Sequence, residues 1–335
     1  MSSITGGSHP RCPTTTSMGY GWKQRLAAHV SLARLDHSIK NVFVIPGIVI
    51  PISLAHSRPS ALWHNLVLGF LSTTFIACSN YVINETLDAP FDRLHPFKKG
   101  RPAALGLVSV PTAYVQWIVM MIIGVVMAIE ISVQFTIVAV LLWVMGCVYN
   151  IRPVRTKDVV YLDVLSESVN NPLRMLLGWY IVSSQLVPPI SLLCCYWMLG
   201  CYFMGLKRFS ELRELGGRDV ASCYRESFKH YTERSLLQSV VFYCSSSMLL
   251  FGAFIIRYRM ELILSFPIVA WVMCTYFQMA FTAGSAVQNP EKLYREPRLM
   301  VELGIAVATI TVLLFVDIPW LAVIFATSTA TRAIR

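Results

Sequence analysis

Charge is scarce in this 335-residue chain: 14% of its residues are Asp, Glu, Lys or Arg, while 55% are hydrophobic, and the mean hydropathy is +0.58. Soluble domains carry about 25% charged residues, so an ordinary soluble surface is excluded and membrane is the first class to test. The nine cysteines include no CxxC pair and no Cys/His set with zinc spacing. Most sit in apolar runs, where they read as small core hydrophobes. A P-loop, a dinucleotide fingerprint and a nucleophile elbow are all missing. So is an alternating strand pattern, which leaves closed helices as the way to satisfy the backbone in lipid. The net charge of +10 comes with no DNA or RNA module, and basic loops against anionic lipid account for it.

What the chain has is long apolar runs. A hydrocarbon core takes about 20 mostly apolar residues per helix, and nine candidates occur, at 41–57, 62–83, 111–131, 133–148, 162–183, 189–206, 236–256, 262–284 and 301–325. The expected fold is all-α, a polytopic bundle of about nine membrane helices over 41–328, flanked by segments 1–40 and 329–335. The first forty residues show no early apolar core with a small-residue cleavage site, so the amino terminus is expected to stay in the cytoplasm of a bacterial-type inner or plasma membrane. With that end inside, most of the 28 lysines and arginines fall in inside segments, including loops 84–110, 149–161, 207–235 and 285–300. This agrees with the positive-inside rule and points to cytoplasmic chemistry.

Three polar constellations interrupt the apolar pattern. Asn84, Asp88 and Asp92 recur every four residues, which places them on one helix face with a drift of about 40° per step. Carboxylates with an amide oxygen suit Mg²⁺ shared with a substrate phosphate, and Arg93, His95, Lys98, Lys99 and Arg101 follow directly. A polar helix end at the water surface is the plainer reading. Pro90 removes one helical hydrogen bond and puts Asp92 at a kink or past the helix end. The second constellation contains Tyr149, Arg155, Lys157 and Asp158, then a stripe of Asp163, Glu167, Asn170, Asn171 and Arg174 running into an apolar span. Ionisable groups there are costly and mark function by default; a network tying helices together is the alternative. Lys207, Arg208, Glu211 and Arg213 form the third, with Lys40 and Asn41 at the mouth of the first span. Either group reads equally as membrane-edge anchors or as phosphate ligands. The loop around them, 206–234, is expected to form short amphipathic helices broken at Gly216 and Gly217.

Asn84, Asp88 and Asp92 after the second span, with a second acidic motif after the fourth, resemble the UbiA superfamily of intramembrane prenyltransferases. The run DRLHPFKKGRPAALG from Asp92 is similar to the cassette of its decaprenyl-phosphate phosphoribosyltransferase branch, as are Tyr149, Lys157, Asp163, Arg174 and KRFSELRELG from Lys207. Departures are Glu85 in place of an Asp, Pro90 within the motif, and SESVNNP in place of a mostly apolar stretch. The resemblance implies a transferase that displaces diphosphate from an activated donor and delivers the donor group to a lipid-borne acceptor. Asn84, Asp88 and Asp92 would bind Mg²⁺. Asp88, Asp92 and Asp163 would be catalytic, and Lys40, Lys98, Arg101, Tyr149, Lys157, Glu167, Asn171, Arg174, Lys207 and Arg208 would bind substrate. The phosphoribosyl branch implies phosphoribosyl diphosphate and a polyprenyl phosphate. A prenyl diphosphate donor remains an alternative, and so does an anion transporter. Nucleic acid is not among the expected partners, and oligomeric state is not legible.

Overall fold

The computed structural model describes residues 21–55, 61–93, 98–216, 218–222 and 225–325; His95 and Gly217 lie outside the described residues. In chain order the α-helices are α1 (Trp22–Leu32), α2 (Ile45–Ala55), α3 (Leu62–Asp92), α4 (Val110–Ile129), α5 (Val133–Asn150), α6 (Leu162–Ser168), α7 (Asn170–Val182), α8 (Ile190–Glu214), α9 (Arg218–Ser222), α10 (Glu233–Tyr258), α11 (Phe266–Met279), α12 (Pro297–Phe315) and α13 (Pro319–Phe325). A 3-10 segment, Leu35–Val44, joins α1 to α2. No strand occurs among the described residues.

Among the described residues eight helical stretches are long and apolar enough to cross a membrane: Trp22–Leu54, Leu62–Asp92, Val110–Ile129, Val133–Asn150, Ile190–Glu214, Glu233–Tyr258, Met260–Met279 and Pro297–Phe315. The all-α membrane bundle is therefore as expected, with three differences in detail. The fifth candidate span is broken at Val169 into α6 and α7. Pro172, in the first turn of α7, has no N–H for the Ser168 carbonyl and its ring crowds that turn. The last candidate span ends at Phe315, where Val316 turns extended and Pro319 opens a separate short helix. Pro90 does not end α3, which runs on to Asp92. One hydrogen bond is lost in the final turn, and Asp92 stays on the helix.

Local chemistry sets several helix starts. Thr232 and Ser235 form a reciprocal cap on α10, each hydroxyl accepting the other's backbone N–H at 3.0 Å. Ser132 accepts from Phe135 at the head of α5, 3.1 Å. Backbones approach closely where glycine allows it: a Cβ on Gly47 would sit 1.9 Å from the Met175 carbonyl oxygen, and one on Gly178 2.1 Å from that of Val44. The contact of α2 with α7 is thus the small-residue packing by which helices associate in lipid. The Leu206, Phe209, Tyr231, Leu236 and Val240 core locks α8 to α10, while Val44, Ile76, Phe135, Leu142 and Leu177 fill the space between α3, α5 and α7. These two cores bring the ends of α3, α5, α6 and α8 together at one end of the bundle.

Candidate active site

That end gathers nearly all of the bundle's buried charge. On the last two turns of α3, Asp88 takes Lys157 Nζ at 2.5 Å and Arg155 Nη2 at 3.1 Å on one oxygen. Its other oxygen accepts from Asn84 Nδ2 at 3.4 Å. Asn84 also donates to Asn150 Oδ1 at 2.5 Å, and Lys157 reaches that same oxygen at 2.9 Å. Asp92 is paired with Arg101 at 2.6 Å. The loop after α5 holds Arg155 at φ 24° and Tyr161 at φ 63°, conformations that cost a non-glycine residue of order 1–3 kcal/mol. Between them stands Lys157, and Arg155 is anchored further by Asp158 at 2.8 Å and the Asn150 carbonyl at 3.3 Å. Burial, opposed by the attraction of Asp88, brings the Lys157 ammonium down to about 8.

Behind this face lies a second ionic cluster. Asp163, in the first turn of α6, is fully buried. It accepts from Tyr231 Oη at 2.6 Å, Arg208 Nε at 3.2 Å and Ser227 Oγ at 3.3 Å, with Arg225 Nη1 at 3.7 Å. The Tyr149 hydroxyl lies 3.4 Å from Arg208 and 3.3 Å from Arg225. Glu211 meets Arg208 at 2.9 Å and Lys98 at 3.4 Å, and so ties the loop after α3 to α8. Burial pushes the Tyr231 phenol up, with Asp163 adding to it. Although burial opposes charge on Arg225, Tyr149, Glu211 and Asp163 hold its pKa above the ordinary arginine value.

The expected residues thus fall into two groups. Asn84, Asp88, Asp92, Lys98, Arg101, Tyr149, Lys157, Asp163 and Arg208 come together in this network. Lys207 stands on its edge within range of the charges of Lys40, Arg208, Glu211 and Lys98, while Lys40 itself lies over the Tyr81 ring at 5.7 Å. The charge of Glu167 acts on Tyr149. Asn171 and Arg174 lie deeper, on α7, away from both clusters. Residues that sequence reasoning left out are Asn150, Arg225, Ser227 and Tyr231. Arg225 and Tyr231 sit in the mixed-charge loop before α10, where no spacing sets them apart from its other basic and aromatic residues.

Asn84, Asp88 and Asp92 offer two carboxylates and one amide, all hard oxygen donors. Among the described residues no three His, Cys, Asp or Glu side chains converge as a ligand group. The set is therefore too small for a closed protein cage, and it fits an ion that completes its shell with water and substrate phosphate, as Mg²⁺ does. A model of the UbiA prenyltransferase family matches residues 43–301.

The chain belongs to the UbiA prenyltransferase family. That is a family of transferases, and membership replaces the transporter reading. Nodulation protein NoeC of Azorhizobium caulinodans is 26% identical over 214 residues, 62% of this chain and 67% of that protein. Uncharacterized protein y4nM of Sinorhizobium fredii is 32% identical over 110 residues, 33% of this chain; the match spans only 21% of that longer protein. Among solved structures, a UbiA homologue from Archaeoglobus fulgidus bound to GPP and Mg²⁺ superposes with a TM-score of 0.64 at 18% identity, covering 86% of this chain and 99% of that one. A digeranylgeranylglyceryl phosphate synthase gives 0.59 at 17% identity, covering 87% and 98%. At these identities the likeness shows a shared fold.

Proposed function

We propose that the protein is a Mg²⁺-dependent membrane transferase that displaces diphosphate from an activated donor, with phosphoribosyl diphosphate as donor and a polyprenyl phosphate as acceptor. The observation that carries this reading is charge balance. Around five carboxylates, Asp88, Asp92, Asp158, Asp163 and Glu211, stand seven cations, Lys98, Arg101, Arg155, Lys157, Lys207, Arg208 and Arg225. Cations in excess at a partly dehydrated site suit a substrate that brings several negative charges.

Asn84, Asp88 and Asp92 would hold the Mg²⁺, which when bound draws charge from diphosphate oxygens and makes them a better leaving group. Lys157 and Arg155, released from Asp88 in part as a polyanion enters, neutralise charge that grows on the departing diphosphate. Arg101 and Lys98 do the same from the loop after α3. Asp163 acts through Arg208 and Arg225, which share its Oδ2 while Tyr231 holds Oδ1. In the transfer one oxygen of the acceptor phosphate bonds to the anomeric carbon, and the bond from that carbon to diphosphate breaks with its electron pair. An ionised phosphate needs no proton removed, which suits a site whose carboxylates are all engaged by cations.

A second reading keeps the fold and substitutes a prenyl diphosphate donor. It is favoured by the Archaeoglobus fulgidus homologues, whose structures hold GPP or DMAPP with Mg²⁺. Purified protein with Mg²⁺ is incubated either with phosphoribosyl diphosphate plus a polyprenyl phosphate, or with a prenyl diphosphate plus small aromatic acceptors. Mass spectrometry of the lipid product decides. A phosphoribosylated lipid supports the first reading, and a prenylated small acceptor without it sinks that reading in favour of the second.

A further inference from the structure

Glu85 is a carboxylate that the network above does not use. It is buried, and it stands seven residues before Asp92 on α3, two turns back and within about 20° of the same line. A buried carboxylate is costly unless it is paired, and two parts of the chain other than α3 do the pairing. Oε1 accepts the Ala103 N–H at 3.5 Å, in the loop that carries Lys98 and Arg101. Oε2 faces Arg34 Nε at 4.0 Å, at the junction of α1 with the 3-10 segment. Arg34 is left-handed there, at φ 49°, a conformation that costs a non-glycine residue of order 1–3 kcal/mol.

The loop is gripped along the end of α3. Asp92 holds Arg101 at 2.6 Å, Arg93 Nε donates to the Ala104 carbonyl at 3.0 Å, and Glu85 takes the Ala103 N–H between them. The charge of Arg101 acts on Glu85 as well. At the far end of the loop α1 makes a second grip, where His29 Nε2 accepts the Ser109 N–H at 3.4 Å. Gln116 of α4 fixes that imidazole, accepting from Nδ1 at 3.1 Å and donating to the His29 carbonyl at 2.9 Å. Leu32 of α1 packs with Val82 and Ala113 beside it. So α1 reaches the loop twice, at Ser109 directly and at Ala103 through Arg34 and Glu85. Both His29 and Arg34 lie outside the residues that the family model matches.

We infer that Glu85 is a positioning residue: braced by Arg34 of the amino-terminal segment, it sets the loop after α3 so that Arg101 faces the diphosphate, a ligand taken from the function proposed above, on which this part rests.

Two readouts on the full chain in detergent test the brace. The first needs no ligand: limited trypsin cleavage after Lys98 and Lys99, with cleavage after Lys229, in the loop before α10, as the control for general loosening. Glu85→Leu and Arg34→Met should speed cleavage after Lys98 and Lys99 at least tenfold and leave that after Lys229 unchanged. Arg34→Lys should restore most of the protection. Glu85→Gln keeps an acceptor for the Ala103 N–H but loses the charge for Arg34, and should give an intermediate rate. The second readout is thermal stabilisation by inorganic diphosphate with Mg²⁺. Affinity should fall about tenfold in Glu85→Leu, and no more than about threefold when that change is made in a chain already carrying Arg101→Met, because Glu85 acts through that arginine.

Wild-type cleavage in both Glu85→Leu and Arg34→Met overturns the inference, and so does an equal rise after Lys229. A full tenfold loss of affinity in the Arg101→Met background also overturns it, since Glu85 would then act independently of Arg101. Should Glu85→Leu not fold, Arg34→Met and Glu85→Gln decide: wild-type cleavage in both rejects the brace. A wild type that ignores diphosphate defeats the functional reading alone, and the cleavage rates still decide the brace.

Discussion

Two carboxylates, Asp88 and Asp163, sit in clusters of similar composition and differ in how finished those clusters are. The Asp88 side chain is 19% exposed at the mouth of the bundle and shares its oxygens with one ammonium, one guanidinium and one amide. Asp163 is 0% exposed and receives two hydroxyls and two guanidinium groups. Buried charge that is fully hydrogen-bonded behaves as scaffold, whereas a carboxylate partly exposed at a mouth can exchange its partners for a ligand. Under the function proposed above, the open cluster does the chemistry and the closed one aims arginines at it.

The sharpest break of this contrast is Asp88→Asn. It should lower turnover by about 10³-fold, the scale of losing a main electrostatic element, with little change in melting temperature. A stability loss as large as the activity loss would make the two clusters equivalent. Asp163→Asn should do the reverse, costing about 3–5 kcal/mol of stability because Arg208 and Arg225 are left without their buried counter-charge; thermal unfolding in detergent measures it. Tyr231→Phe removes the hydroxyl that donates to Asp163 and accepts from the Tyr161 N–H at 2.7 Å, and should cost about 1–3 kcal/mol with diphosphate affinity nearly kept. A shift in affinity larger than in stability would place Tyr231 in the open cluster. The smallest effect is pH dependence at the mouth. Lys157 is charged below about 8 and neutral above it, and anion binding needs the charged form. Diphosphate affinity should therefore fall as pH rises through about 8, by up to about tenfold per unit for one required proton. Lys157→Arg should move that fall to higher pH, and an unmoved profile would exclude Lys157 as its source.

Much of the open cluster was legible before any coordinates. The four-residue spacing of Asn84, Asp88 and Asp92 is a local property of one helix, and it survives Pro90 because that residue falls in the last turn of α3. Lys157 and Arg155, close in sequence to the end of α5, were legible too. The closed cluster was less so: Asp163 could be picked from its place in an apolar run, but Arg225, Ser227 and Tyr231 lie more than sixty residues further on, in a loop with no distinguishing spacing. The limits of α4, α5 and α10 were read to within a few residues. By contrast, α3 and α8 run eight or nine residues past their apolar runs, the first stretch starts at Trp22 and not at 41, and Pro172 and Pro319 break two further runs. Hydropathy averages over a window and sees neither a polar helix extension nor a single backbone break.

By itself the sequence determined the membrane class, the all-helical fold, and the charge at one end of the bundle, because each follows from local composition and from periods of one helix. Tertiary structure alone decided which cation meets which carboxylate: Lys98 with Glu211, 113 residues apart, and Tyr231 with Asp163, 68 apart. It also decided that Glu85 meets Arg34 of the amino-terminal segment. Pairing depends on how helices pack, and packing is set by non-directional apolar contact that leaves no short-range mark on the polar residues it brings together.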